Sequence, residues 1–228
     1  MREIVVMMSA FVLVACVNKN AKTETSENED QTETMAQKTY ASPDRAMYRL
    51  KGEVSSAAIT YYSCDEQGNY NEDDCYTHSV TFATDGTLQA DEDIYYDAST
   101  CSVKRDTEGR IGSMNVTAGY EGGMEYTYDF IYNGELLTGE TVEFYGEFSG
   151  NFKTEYTYDE SGNLIKVVSS GISDSIVFTN TETFTIQETD ENGNWTKCLR
   201  KTVSEEDEAG ENGTYTTYHV LIRNIKYY

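Results

Sequence analysis

Met124-Glu125-Tyr126-Thr127-Tyr128-Asp129-Phe130-Ile131-Tyr132 sets Met, Tyr, Tyr, Phe and Tyr at even positions and Glu, Thr and Asp at odd ones. Side chains two residues apart share one face of an extended strand, so this stretch turns aromatic rings to one side and polar groups to the other. Phe152-Lys153-Thr154-Glu155-Tyr156-Thr157-Tyr158-Asp159 repeats the pattern. The last stretch, Thr214 to Tyr228, continues it, with Tyr218, Val220 and Ile222 read as sharing one face. Half-buried strands of this kind belong to antiparallel sheets. No convincing amphipathic helix follows residue 16.

Turn signals separate the strands: Asp65-Glu66-Gln67-Gly68-Asn69, Asp85-Gly86, Asp106-Thr107-Glu108-Gly109, Asn133-Gly134, Asp159-Glu160-Ser161-Gly162-Asn163 and Asp190-Glu191-Asn192-Gly193-Asn194. An Asp side chain bonds to the backbone of its own turn and Gly supplies positive φ, so each segment reverses the chain. The glycines at 68, 86, 109, 134, 162 and 193 are spaced by 18 to 31 residues, lengthening toward the C-terminus. Six successive hairpins predict an all-β meander of about ten to twelve antiparallel strands, a curved open sheet or incomplete barrel that limits exposed edges.

This domain is assigned to residues 46–228. Before it, residues 16–45 are rich in Thr, Glu, Asn and Gln and poor in large apolar side chains, which cannot offset the entropy of ordering; they read as a disordered acidic tether. At the start, Ile4 to Val14 is a short apolar and small-residue run behind Arg2 that leads to Leu13-Val14-Ala15-Cys16. A helix needs about 20 residues to span a hydrocarbon core, so the run is too short to be a membrane span. It is similar to the lipobox of bacterial lipoproteins, which implies a signal peptide over 1–15, lipidation at Cys16 and, with Val17 following, an outer-membrane address facing the periplasm or the surface.

The chain carries 17 basic and 40 acidic residues, a net charge of −23 that loss of residues 1–15 leaves unchanged. Such charge excludes the counterion release that drives nucleic-acid binding. Membrane contact is then expected through the lipid anchor only, and the partner to be a glycan or a neutral or basic protein surface.

Tyr156-Thr157-Tyr158-Asp159-Glu160-Ser161-Gly162-Asn163-Leu164 resembles the YD repeat of the RHS superfamily, with weaker copies at Tyr126 to Leu136 and Phe184 to Trp195. Leu50-Lys51-Gly52-Glu53-Val54, Asp190 to Lys197 and Arg223-Asn224-Ile225-Lys226-Tyr227-Tyr228 extend the likeness to short YD-repeat envelope lipoproteins. The resemblance implies an antiparallel β-meander and an envelope location, and it brings no catalytic residues. Within the YD pairs, Tyr128 and Tyr158 read as packing residues and Asp129 and Asp159 as turn starters. An alternative makes Tyr128, Tyr158 and above all Trp195 exposed platforms for sugar rings.

Cys64, Cys75, Cys101 and Cys198 remain after Cys16. An oxidising compartment permits bridges between them, with Cys64 and Cys75 placed across one hairpin and Cys101 with Cys198 left by elimination. Zinc spacing is missing, and His78 and His219 stand apart from the cysteines in sequence. The acidic segments Asn71 to Asp74 and Glu205 to Glu208 are placed at hairpin tips and do not follow EF-hand spacing. With no catalytic motif, no metal site and no cofactor expected, we read a non-enzymatic binding or structural module. A hydrolase working through two facing carboxylates in a sheet cleft and a closed-barrel carrier of an apolar ligand are the alternatives.

Overall fold

A computed structural model describes residues 40–91, 98–118, 123–208 and 211–228. Cys16, where lipidation is expected, and the segments expected to be signal peptide and, through residue 39, tether lie outside the described residues.

A short helix, α1 (Pro43–Met47), precedes β1 (Val54–Cys64), β2 (Tyr70–Phe82), β3 (Leu88–Asp91), β4 (Ala98–Arg105), β5 (Ile111–Ala118), β6 (Met124–Asn133), β7 (Leu136–Tyr145), β8 (Gly150–Tyr158), β9 (Leu164–Ser173), β10 (Ile176–Thr189), β11 (Trp195–Glu208) and β12 (Glu211–Tyr227). The strands form one antiparallel sheet in the order β3-β2-β1-β12-β11-β10-β9-β8-β7-β6-β5-β4. Consecutive strands pair throughout except β3 with β4, and the first strand pairs with the last, from Val54↔Tyr227 to Cys64↔Tyr218. The result is a curved, incomplete barrel that is not closed, with its seam between β3 and β4.

The turns explain why the strands stop where they do. Asp65 Oδ1 accepts the N–H groups of Gln67 and Asn69, each at 2.9 Å. Asp106, Asp159 and Asp190 repeat this on the second and fourth residues after them. The glycine between these positions has φ near +80° in all four turns, a conformation that a Cβ would strain. Asp129, by contrast, lies inside β6 opposite Ser113 and Thr141 and starts no turn. The turns after β2, β4, β6, β8 and β10 gather at one end of the sheet, where β1 begins and β12 ends.

Register across the ladders puts Tyr61, Tyr76, Leu221, Cys198, Phe184, Val167, Tyr156, Val142, Tyr128 and Met114 on one concave face. Glu125, Thr127 and Asp129, Lys153 and Glu155, and Thr179, Thr181 and Thr183 point outward. Apolar side chains line most of the concave face, while the outer face mixes these polar groups with the exposed side chains of Ile131, Tyr145, Ile172 and Val177. In β12 the inward set is His219, Leu221, Arg223 and Ile225, so the face expected from Tyr218, Val220 and Ile222 points outward. Val220 is nonetheless buried, because the turn at Gly68 folds back over it and Leu199.

At the turn-rich end, α1 and the residues after it fill the concavity. Met47, Leu50 and Val54 pack with Phe82, Ile111, Leu137, Trp195 and Leu221. Ser42 caps the helix through the Arg45 N–H and reaches Gly86 O. Asp44 spans the seam: its carboxylate accepts the Leu88 N–H of β3 at 2.7 Å and Arg105 of β4 at 2.6 and 2.7 Å. Packed structure therefore begins before residue 46. Residues assigned to the tether are buried here, since Asp44 and Arg45 find charge and backbone partners that offset their ordering.

Candidate functional site

Inward positions of an alternating strand are expected to be apolar. Here β2, β7, β10, β11 and β12 each place a charged or imidazole side chain among them: His78, Glu140, Glu182, Arg200, His219 and Arg223. They set polar groups into the apolar lining of the concave face.

The group on β10–β12, β1 and β2 combines charge with exposed aromatic surface. Arg200 Nη1 lies 3.3 Å from Glu182 Oε1, and Nη2 lies 3.3 Å from His219 Nδ1. The same guanidinium covers the Tyr61 ring at 5.2 Å. Tyr61 in turn stacks on Tyr76, with centroids 4.4 Å apart and planes 2° from parallel. Burial pushes the Glu182 carboxyl above the usual range against the pull of Arg200. Burial and then the Arg200 charge lower His219 to about 4, so its ring is neutral near pH 7 and its Nδ1 accepts from Arg200. Tyr76 is 51% exposed, and Tyr215, further along the inward column of β12, is 59% exposed. Fixed hydrogen-bonding groups beside an open ring are the components of a sugar or amphipathic-peptide subsite.

A second group lies on β7–β9. Tyr156 and Thr154 hydrogen-bond to Glu140, and the Thr154 and Ser169 hydroxyls are 3.0 Å apart. Burial raises Glu140 to about 7, and the hydrogen bonds and the nearby Arg49 charge only partly oppose it. A third group closes the β3 edge, where His78 Nε2 stands 3.0 Å from Asp91 Oδ1 and the Tyr48 hydroxyl donates to Asp91 Oδ2.

The residues expected to stack on ligand are elsewhere. Trp195 is 6% exposed, with the Arg223 guanidinium 3.6 Å from its ring centroid. It follows the Asp190 turn directly, where the strand enters the filled end, so the exposed-platform expectation is corrected. Tyr158 points inward and donates to Leu137 O at 2.6 Å. Tyr128 stacks on Tyr126 and Phe130, and burial pushes its hydroxyl well up. Both therefore act in packing.

None of these four thiols is part of a disulfide. The turn ends at Asn69, so Cys64 faces Tyr70 while Cys75 faces Tyr62, and Asn71 to Asp74 form the excess of β2 between these pairs. The expected Cys64–Cys75 bridge is accordingly not formed. Cys101 on β4 and Cys198 on β11 are far apart in strand order, and no bridge joins them. The acidic segments belong to strands β2 and β11 and not to the tips of their hairpins. Among the described residues no cluster of three His, Cys, Asp or Glu side chains is arranged to hold a metal ion.

Sequence reasoning missed Glu140, Glu182, Arg200 and Arg223 as members of one face. A signal was present for Arg223, which stands in phase between Leu221 and Ile225, and weaker for Glu140, Glu182 and Arg200, each with an apolar in-phase neighbour on one side only, Val142, Phe184 and Cys198. Arg49 carried no such signal, because no strand places it.

No family model matches this chain, and no curated protein matches it. Among solved structures, the crystal structure of a porin-like protein from Bacteroides uniformis is similar, with a TM-score of 0.38 and 11% identity over 76% of this chain and 96% of that one.

Proposed function

We propose that this chain is a lipid-anchored, non-enzymatic module of the bacterial envelope that binds neutral glycans in the open part of its concave sheet. The observation that carries the reading is the layered set Tyr76, Tyr61, Arg200, Glu182 and His219. An exposed ring lies on a second ring, which is itself held by a paired guanidinium. Such a base holds Tyr76 in place before ligand arrives, which lowers the ordering cost of binding. The lipobox-like Ile4 to Cys16 and the likeness to YD-repeat lipoproteins support the anchor and the address. Stacking gives modest affinity per site, and many copies on one membrane strengthen it.

The rival chemistries have less support. Glu140 and Glu182 stand on β7 and β10, three strand spacings or about 14 Å along the sheet, and each has its own partners. A carrier of apolar ligands needs an unfilled apolar interior, whereas α1 and its neighbours occupy that end here.

Calorimetric titration with neutral oligosaccharides tests the reading. Tyr76→Ala is expected to weaken binding at least tenfold, whereas Tyr145→Ala, which removes an exposed ring from the outer face, leaves it unchanged. An equal loss in both variants contradicts the site. Turnover of a glycan that disappears in Glu140→Gln or Glu182→Gln overturns the non-enzymatic reading.

A further inference from the structure

Arg49 lies on no strand and sits between α1 and β1. It follows α1 in a left-handed backbone conformation, φ 60°, which a non-glycine residue adopts at a cost. Its N–H donates to Ala46 O, and the chain then turns into β1. The side chain is buried, over the Tyr156 ring at 5.5 Å, and Nε, Nη1 and Nη2 have no hydrogen-bond partner among the described residues. Arg223 reaches the same region from β12. It too is buried, and its Nε and Nη1 are likewise without partners.

The two guanidinium groups repel each other, and Tyr40 is an electrostatic neighbour of both. Among the described residues neither has a carboxylate within ion-pair distance. Glu140, the acid nearest in effect to Arg49, takes its hydrogen bonds from Tyr156 and Thr154, and its Oε2 is also unpartnered. Burial lowers Arg49 to about 9 and Arg223 to about 10, which leaves both cationic near pH 7. A buried charge without a partner costs several kcal/mol, and guanidinium N–H groups fit the oxygens of a carboxylate or phosphate in pairs.

We propose that Arg49 and Arg223 form a binding site for one small oxyanion, enclosed beneath residues 40–50 and separate from the glycan surface. Five unpartnered N–H-bearing nitrogens on two adjacent cations supply the donors, and Trp195 and Tyr156 hold the guanidinium planes through their ring faces. The site is closed over, so the ligand is a free anion and not a group carried by a macromolecule. The bound anion joins α1 to β12 and adds to the stability of the filled end.

Thermal unfolding of the purified full chain in rising inorganic phosphate or acetate, against sodium chloride of equal ionic strength, tests this. At about 100-fold above its Kd, a bound anion raises the midpoint by about 5–10 °C, well beyond the chloride series. Arg49→Met loses that rise while matching or exceeding the wild-type midpoint without added oxyanion, because the unpaired charge has left the core. A wild-type midpoint that rises no further in phosphate or acetate than in chloride overturns the proposal. So does an Arg49→Met protein that keeps the rise. If Arg49→Met does not fold, calorimetry on the wild-type protein decides: saturation at one anion per chain supports the site, and the lack of heat with both anions overturns it.

Discussion

At the end of the sheet that carries α1, Val54 and Leu137 are 0% exposed; toward the other end, Tyr76 and Tyr215, which are also inward-facing, stand 51% and 59% exposed. Both sets come from the same alternating strands and the same concave face. What separates them is a covering segment, residues 40–50, which fills one end. An inward position in this molecule is therefore buried only where another part of the chain lies over it. The filled end carries stability, and the open end is free to carry recognition.

The strongest way to break this division is Trp195→Ala. Removing a ring that is 6% exposed, and with it the support of Arg223, is expected to cost about 3–5 kcal/mol in urea unfolding. Glycan affinity per folded molecule should not change. A loss of affinity with little loss of stability would return Trp195 to the ligand surface and abolish the distinction between the two ends.

Asp44→Ala attacks the cover itself. It removes the acceptor for the Leu88 N–H and leaves Arg105 without its carboxylate, on both sides of the seam. We expect a loss of about 2–4 kcal/mol. Amide exchange should speed up first at β3 and β4, and equal protection there in the variant would show that α1 does not hold the seam.

Glu140 and His219 sharpen the comparison through pH, with opposite signs. The folded-state pKa of Glu140 is raised from 4.5 to about 7, so the stability it contributes is full below pH 4.5 and is lost as pH rises through 7. For His219 it is lowered from 6.5 to about 4, so its contribution is present above pH 6.5 and is lost as pH falls through 4. Glu140→Gln should gain up to about 3 kcal/mol over wild type above pH 7. Its unfolding free energy should then fall on acidification without the opposing rise that the wild-type protein shows between pH 7 and 4.5. Unfolding curves at several pH values measure this, and parallel profiles for the two proteins would contradict the burial of the Glu140 charge.

Tyr76→Ala carries the smallest effect on stability. Its half-exposed ring stacks on Tyr61 and its hydroxyl hydrogen-bonds with Arg200, so the unfolding free energy should change by less than about 2 kcal/mol. A larger loss would show that the open end is also part of the stabilising core.

Much of the fold was legible before any coordinates. Alternation in Met124 to Tyr132 and Phe152 to Asp159 gave β6 and β8, because side-chain direction in a strand is a local property. The Asp-x-x-Gly turns were equally legible, since Asp accepts from N–H groups two and four residues on and needs nothing from the rest of the chain. The six turn signals all became hairpin reversals, and the meander has twelve strands within the expected ten to twelve. The site was less legible. Of its inward charges only Arg223 interrupts an apolar column on both sides, and partners such as Glu182 and Arg200 are fixed only by strand register.

What the sequence determined by itself is thus whatever depends on neighbours along the chain: strands, turns and the two-sided character of the sheet. The tertiary structure alone decided that β1 pairs with β12, that the seam falls between β3 and β4, that the column of His219, Leu221 and Arg223 faces inward, and that residues 40–50 bury Trp195. These choices are made between segments up to 173 residues apart, as in Val54↔Tyr227. They depend on which pairing lets the whole sheet curve around one filled interior, a quantity that no local period encodes.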